Sequence, residues 1–182
     1  MSVPTAAGKL YDVDTRLRPQ GAQGPLVVTL DSFERYQREE AWTWEHMALL
    51  RARPVYGSDA ARADVERIIA DLLAVPRDPV KLAADAAEMR DRIAAHKPPQ
   101  GPLDIKGGPG GLVDLEFAMQ VTQLANGRCH NPNIAAALAC MKGAGLVPDG
   151  VCEAHGLLAR MLVLLRLAAP EGEPAQAPSR QL

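Results

Sequence analysis

The sequence predicts an α+β chain that is mostly α, with a β-hairpin and a helix at the front and a helical bundle behind. Three observations carry this. Residues 9–17 alternate, with Tyr11, Val13 and Leu17 on one side and Asp12, Asp14 and Arg16 on the other, which is the two-residue period of a half-exposed strand. Residues 26–30 are a short apolar run with two valines, preceded by the turn formers Pro19, Gly21 and Gly24. From Ser58 onward the apolar residues recur at helical spacing.

Taken in order, Pro19 ends the first strand because it has no N–H for a ladder, and the glycines turn the chain so that the two strands pair as a hairpin. Asp31 or Ser32 is placed to cap a helix. Residues 33–53 lack Gly and Pro and carry strong helix formers, which predicts one helix stopped by Pro54. Ser58 caps a helix over 59–73 whose Val65, Ile68, Ile69, Leu72 and Leu73 form one stripe. Asp78, with Pro79 at the first helical position, opens another helix that runs to about residue 95. The proline-rich stretch 96–102 is the expected boundary, giving a front domain over 1–97 and a helical bundle over 98–167. Residues 104–106 read as extended, 107–111 as a glycine-dense turn and 113–125 as a helix. A helix opened by Asn131 and Pro132 stops at Gly143 and Gly145, and a last one covers 149–167. The tail 168–182 holds three prolines and little to bury, and is expected to be disordered.

Lys and Arg number 20 against 22 Asp and Glu, a net charge of −2, so no uniform positive field draws a nucleic-acid backbone, and no nucleic-acid partner is expected. No apolar run approaches the ~20 residues of a membrane span, and residues 1–8 show no basic segment followed by a hydrophobic one; a cytoplasmic protein with no membrane partner is expected. Cys129, Cys140 and Cys152 are odd in number and lack C-x-x-C spacing, so they are expected as reduced thiols rather than zinc or redox groups.

The chemistry-bearing pattern lies at the front. Asp12 and Asp14 are two residues apart and so share one strand face, with Arg16 and Arg18 continuing the row. Carboxylates beside guanidinium groups can hold a metal next to phosphates, although alternating charge on such a strand is also what a solvated face looks like. Trp42 and Trp44 are the only tryptophans and are expected to pack their helix onto the sheet rather than to stack an adenine. Glu45 and His46 are either proton carriers or parts of an ion-pair network with Arg16, Arg18, Arg51 or Arg53. The 107–111 turn resembles a phosphate cradle but lacks the order of a Walker loop. Glu116, Gln120 and Gln123 share one polar helix face that can equally be solvated. Gly57-Ser58-Asp59 looks like a metal motif, but Ser58 makes a good helix cap.

These residues also carry a resemblance. Leu10-Tyr11-Asp12-Val13-Asp14-Thr15-Arg16-Leu17-Arg18-Pro19, with Gly21 and Gly24-Pro25-Leu26-Val27, resembles a signature of the glutamine synthetase adenylyltransferase family. Phe33, Tyr36-Gln37, Glu40-Ala41-Trp42-Thr43-Trp44-Glu45-His46, Ala48-Leu49 and Arg51-Ala52-Arg53 resemble its tryptophan helix, in the version of the C-terminal, adenylylating half. The related uridylyltransferase type does not have that helix as its hallmark. Asp104-Ile105-Lys106, Gly110-Gly111, Asp114, Glu116-Phe117 and Gln120 resemble a third element of the family.

The resemblance implies the back part of a polymerase-beta-like nucleotidyltransferase domain followed by a helical bundle. It implies ATP and Mg2+ as cofactors, with AMP transferred to a tyrosine of glutamine synthetase, and a PII signalling protein as regulatory partner. A separate N-terminal half would remove the AMP. By the same resemblance Asp14 and Asp12 are metal residues, Asp14, Arg16 and Arg18 are catalytic, and Glu45 and Lys106 contact the cofactor. Lys106, Asp114 and Glu116 are expected at an inter-domain or active-site-facing junction. The family's G-S-D-x-D metal element has no counterpart before Lys9, which leads to the expectation of a chain truncated at its front, inactive by itself, with an unpaired sheet edge prone to association. The alternative is a non-catalytic helical module that docks glutamine synthetase or PII protein.

Overall fold

The computed structural model describes residues 4–5, 8–9, 14–15, 17–101 and 104–168. These form seven α-helices in sequence: α1 (Leu30–Glu39), α2 (Thr43–Leu49), α3 (Asp59–Leu73), α4 (Pro79–His96), α5 (Leu112–Asn126), α6 (Ile134–Gly143) and α7 (Val151–Ala168).

The predicted hairpin is not there, and the expected α+β class gives way to a helical fold. Among the described residues the only extended pairing joins Pro4–Thr5 to Gly8–Lys9, two residues a side. Residues 14 and 15 are irregular, Leu17 lies in a turn, and 26–29 run as coil into α1, while residues 10–13 and 16 lie outside the described residues. A strand needs lateral neighbours to take up its N–H and C=O groups, and an isolated two-stranded ribbon is marginal. Leu26 and Val27 are 70 % and 85 % exposed, so no face buries them. The expected unpaired sheet edge falls with the hairpin.

The predicted helix over 33–53 is two helices. Tyr36 O accepts from both Glu40 N (2.9 Å) and Ala41 N (3.0 Å), which closes α1, and Trp42 turns extended (φ −80°, ψ 159°) to become the N-cap of α2. The cap of α1 is Thr29, whose hydroxyl accepts from Ser32 N, not Asp31 or Ser32 as expected. Elsewhere local signals are realised: Ser58 Oγ accepts from Ala61 N at the start of α3, and Asp78 accepts from Val80 N at the start of α4 with Pro79 in the first turn. The cap of α6 is Asn133, two residues beyond the predicted opening. Arg77 closes the other end of α3 by donating to the carbonyls of Leu72, Leu73 and Val75, three acceptors that the helix end and its exit leave over.

The main core gathers Met47, Leu49 and Leu50 of the α2 segment, Ile68, Leu72 and Leu73 of α3, Leu82 and Ala86 of α4, and Leu124 of α5, with Phe33 and Phe117 against it. A smaller core holds Met119, Leu138 and Met141, with Cys129, Ile134 and Leu146 around it. α5 belongs to both and packs on α2, α4 and α7. Cys129 and Cys140 are joined by a disulfide, with Cα atoms 5.5 Å apart, and Cys152 is free, so the expectation of three reduced thiols is corrected. The loop after α5 folds back over α6 and brings Cys129 to Cys140, held there by Gln123 Nε2, which donates to Cys129 O at 2.6 Å.

No helix among the described residues is long and apolar enough to cross a membrane. Of the expected tail, residues 169–182 lie outside the described residues.

Candidate functional site

The front loop is organised by Arg18. Its Nε donates to Gly24 O (2.9 Å), Nη2 to Ala22 O (2.9 Å), and Nη1 to Thr15 O (2.6 Å) and Thr15 Oγ1 (3.0 Å). Four hydrogen bonds leave one guanidinium N–H for anything else. Gln20 (φ 60°) and Gly21 (φ 58°) take left-handed conformations, and Gly24 is buried with its backbone pressed on Pro19, so that a Cβ there would lie 1.9 Å from Pro19 O. The R-x-x-G-x-x-G pattern therefore describes a loop that the arginine closes. Asp14 is exposed and just precedes this loop, while Asp12 and Arg16 lie outside the described residues.

The tryptophan helix forms a joint. Glu45 is buried, and its carboxylate accepts from Tyr36 Oη at 3.0 and 3.2 Å and from Trp42 N at 2.9 Å. It thereby ties α1 to α2 and fills a backbone donor at the start of α2. Of the arginines named for an ion-pair network with Glu45, Arg18 is committed to the front loop, Arg51 pairs with Glu116 of α5 at 3.2 Å, and Arg16 lies outside the described residues. The Tyr36 hydroxyl is raised above its ordinary pKa, first by burial and then by the adjacent Glu45 carboxylate, with a backbone contact to Gln20 opposing. His46 Nε2 lies 2.8 Å from Gln37 O, a ring N–H donating to an acceptor of the last turn of α1. Burial holds His46 below the usual imidazole range, and the nearby Arg77 adds to this. Thr43 Oγ1 donates to Asp85 of α4, which also receives Lys81 Nζ at 3.0 Å. These two bonds, the threonine's first, hold Asp85 below its ordinary pKa.

Trp42 is 66 % exposed and does not pack onto a sheet. With Trp44 it walls a 350 Å³ cleft floored by Met89 and rimmed by Lys81, Asp85 and Arg92.

The third motif is also structural. Asp104 accepts from Gly107 N (2.8 Å), Lys106 N (3.0 Å) and Gln100 N (3.3 Å), and the Gly107 amide is the first cause of its lowered pKa. Residues 104–106 are thus a turn and not the extended piece expected. Gly108 N and Gly111 N donate to Asp104 O and Gly108 O, Gly110 N to Asp114 Oδ2 (2.7 Å), Leu112 N to Ile105 O and Val113 N to Lys106 O. With Gly107 N also committed and Pro109 lacking an N–H, the amides from 107 to 113 are spent inside the protein, which argues against the cradle reading. Arg90 of α4 donates Nε to Asp114 and Nη2 to Gly107 O at 2.7 Å. Partial burial pushes the Asp114 carboxyl up, but the Arg90 and Gly110 bonds outweigh it and leave the pKa lowered. Gln120 and Gln123 are buried, so the polar face of α5 packs inward.

Two crevices receive the remaining candidates. Glu45 lines a 250 Å³ crevice with Leu17, Phe33, Gln37 and Arg51. Lys106, exposed, lines a separate 510 Å³ cleft between α4, the loop before α5 and α7. Arg90 and Arg166 were missed by sequence reasoning: the partner of Arg90, Asp114, lies 24 positions away along the chain, and nothing local marks Arg166.

The signature side chains thus meet in helical joints and a closed glycine loop, and comparisons with known proteins give the family they belong to. The family model described as glutamate-ammonia ligase adenylyltransferase matches residues 1–68, and the one described as GlnD PII-uridylyltransferase matches residues 81–168. A bifunctional glutamine synthetase adenylyltransferase/adenylyl-removing enzyme of Brucella suis is 44 % identical over 173 residues, 92 % of this chain and 18 % of the relative. The same-named proteins of Stenotrophomonas maltophilia and Mesorhizobium japonicum are 42 % and 52 % identical over 96 % and 66 % of this chain, and 20 % and 12 % of their own lengths. The chain belongs to the glutamine synthetase adenylyltransferase family of nucleotidyltransferases. It spans about a fifth or less of the length of these curated relatives.

Proposed function

We propose that this chain serves the transfer of AMP from ATP to a tyrosine of glutamine synthetase, in the cytoplasm, as the supporting part of a longer enzyme, and that by itself it transfers nothing. The observation that carries this is the fate of the signature side chains. Arg18, Tyr36, Thr43, Glu45, His46, Arg51, Asp104 and Asp114 each spend their polar groups on joints within and between the front loop and α1, α2, α4 and α5. In this reading Arg18 and Glu45 are positioning residues that hold the loop and helix beside the reacting groups, and Asp14 is the carboxylate that faces them.

Mg2+ belongs in this reading to the complete enzyme, with Asp14 among its ligands; Asp12 lies outside the described residues. Among the described residues no group of three or more His, Cys, Asp or Glu side chains could hold a metal ion, and magnesium gives up its waters only where several hard oxygens converge. No step is therefore routed through the ion here. Asp14 is tested in the complete enzyme: Asp14→Asn should abolish labelling of glutamine synthetase from ATP labelled in the alpha phosphate, and retained labelling would remove Asp14 from the centre.

A second reading has its own support in α7, which buries no residue and exposes Leu157, Met161, Leu164 and Leu167 along one side. It makes the chain a non-catalytic helical module that docks glutamine synthetase or a PII signalling protein. A pull-down with each protein, run alongside a magnesium titration of transfer, separates the two. Binding without turnover in the reassembled enzyme favours the module.

A further inference from the structure

The cleft between α4, the loop before α5 and α7 has a charge pattern unlike the rest of the molecule. Arg90 and Lys97 come from α4 and its C-cap, Lys106 from the Asp104 turn and Arg166 from the last turn of α7, so four cations of three separate segments line it in a chain whose net charge is −2. Asp104 is the one carboxylate among the lining residues, and three backbone amides occupy it. Arg90 is neutralised from behind by Asp114. Lys97, Lys106 and Arg166 are exposed, and among the described residues no carboxylate pairs with them. Ile93, Val113 and Leu162 give the same cleft an apolar floor.

The four cations outnumber the two carboxylates beside them, Asp104, which attracts Lys106, and Asp114 behind Arg90; that surplus raises the local potential, and low-dielectric walls focus it. A volume of 510 Å³ lies within the range of small-ligand sites, roughly 300–1,000 Å³. We propose that this cleft binds a compact organic polyanion, whose clustered phosphate or carboxylate oxygens meet Lys97, Lys106 and Arg166 and whose apolar body lies on Ile93, Val113 and Leu162. The site lies within the α4–α7 part of the chain, and it stands whether or not the AMP-transfer reading holds.

The test is calorimetric titration of this chain with inorganic pyrophosphate and with citrate at low ionic strength, where charge contacts are least screened. One-to-one binding tighter than about 1 mM is expected for at least one of them. Tighter pyrophosphate assigns the site to phosphates, and tighter citrate assigns it to carboxylates. Lys106→Gln and Arg166→Gln should each weaken binding about tenfold, the usual scale of a charge-assisted contact. Lys97→Gln is a further variant of an exposed side chain, and thermal unfolding of each variant should match the parent. Arg92→Gln removes a cation paired with Glu88 in the tryptophan cleft and should leave binding unchanged. Absence of binding by both anions, equal affinity in the Lys106 and Arg166 variants, or an equal loss in Arg92→Gln would overturn the proposal.

Discussion

Glu45 shows how a single side chain can be committed to the fold. A carboxylate in an E-H pair on a helix suggests proton transfer, yet its oxygens are taken by Tyr36 and by the backbone of Trp42. A hydrogen bond to a charged group is worth about 1.5–3 kcal/mol when removed, and the partial exposure of this pair argues for the low end. Tyr36→Phe should thus lower the unfolding free energy by about 1–2 kcal/mol in a urea titration, a loss that a proton-relay role would not require. Arg90 and Asp114 make the other residue-scale joint, and a double-mutant cycle of Arg90→Ala with Asp114→Ala should return a coupling of about 1 kcal/mol or more. Additive effects would show that the contact does not hold α4 to α5. Neither partnership could be read from sequence, because each joins residues whose distance apart is set by the fold: nine positions for Tyr36 and Glu45, twenty-four for Arg90 and Asp114.

At the scale of elements, α3 and α4 were legible and the front was not, for one physical reason. Ser58 and Asp78 cap by bonding a backbone N–H two or three residues on, so the cause lies inside a short window of sequence. The break between α1 and α2 is set by Glu45 and His46 reaching back to Trp42, Tyr36 and Gln37, and no helix-breaking residue announces it. The predicted hairpin failed because alternation describes what a strand would do beside a sheet, and the described residues supply only the two-residue pairing of Pro4–Thr5 with Gly8–Lys9. The joint also has a pH signature. His46 and His130 are held below the ordinary imidazole pKa of 6.5, in each case first by burial. The unfolded chain then binds protons more readily below about pH 6.5, so stability is full above that value and falls as the pH drops through the window. The urea midpoint should be higher at pH 7.5 than at pH 5.5. A midpoint that rises on acidification would mean these rings are protonated in the fold. Asp85, Asp104 and Asp114, all with lowered pKa, contribute stability that is present above about pH 4 and lost in stronger acid.

For the whole molecule, family-specific spelling was more legible than architecture. The stretches around Arg18, Trp42 and Asp104 are spelled as in one family, whose model matches residues 1–68, while residues 81–168 match the model described as GlnD PII-uridylyltransferase. What those stretches do in this chain is mechanical: they close a loop, break a helix and bolt α4 and α5 together. In the function proposed above, that division of labour makes the chain a support for AMP transfer and not its agent. The most direct test incubates the purified chain with glutamine synthetase, magnesium and ATP labelled in the alpha phosphate, then counts label on the tyrosine. No label above a protein-free control is expected, and tyrosine labelling by this chain alone would contradict it.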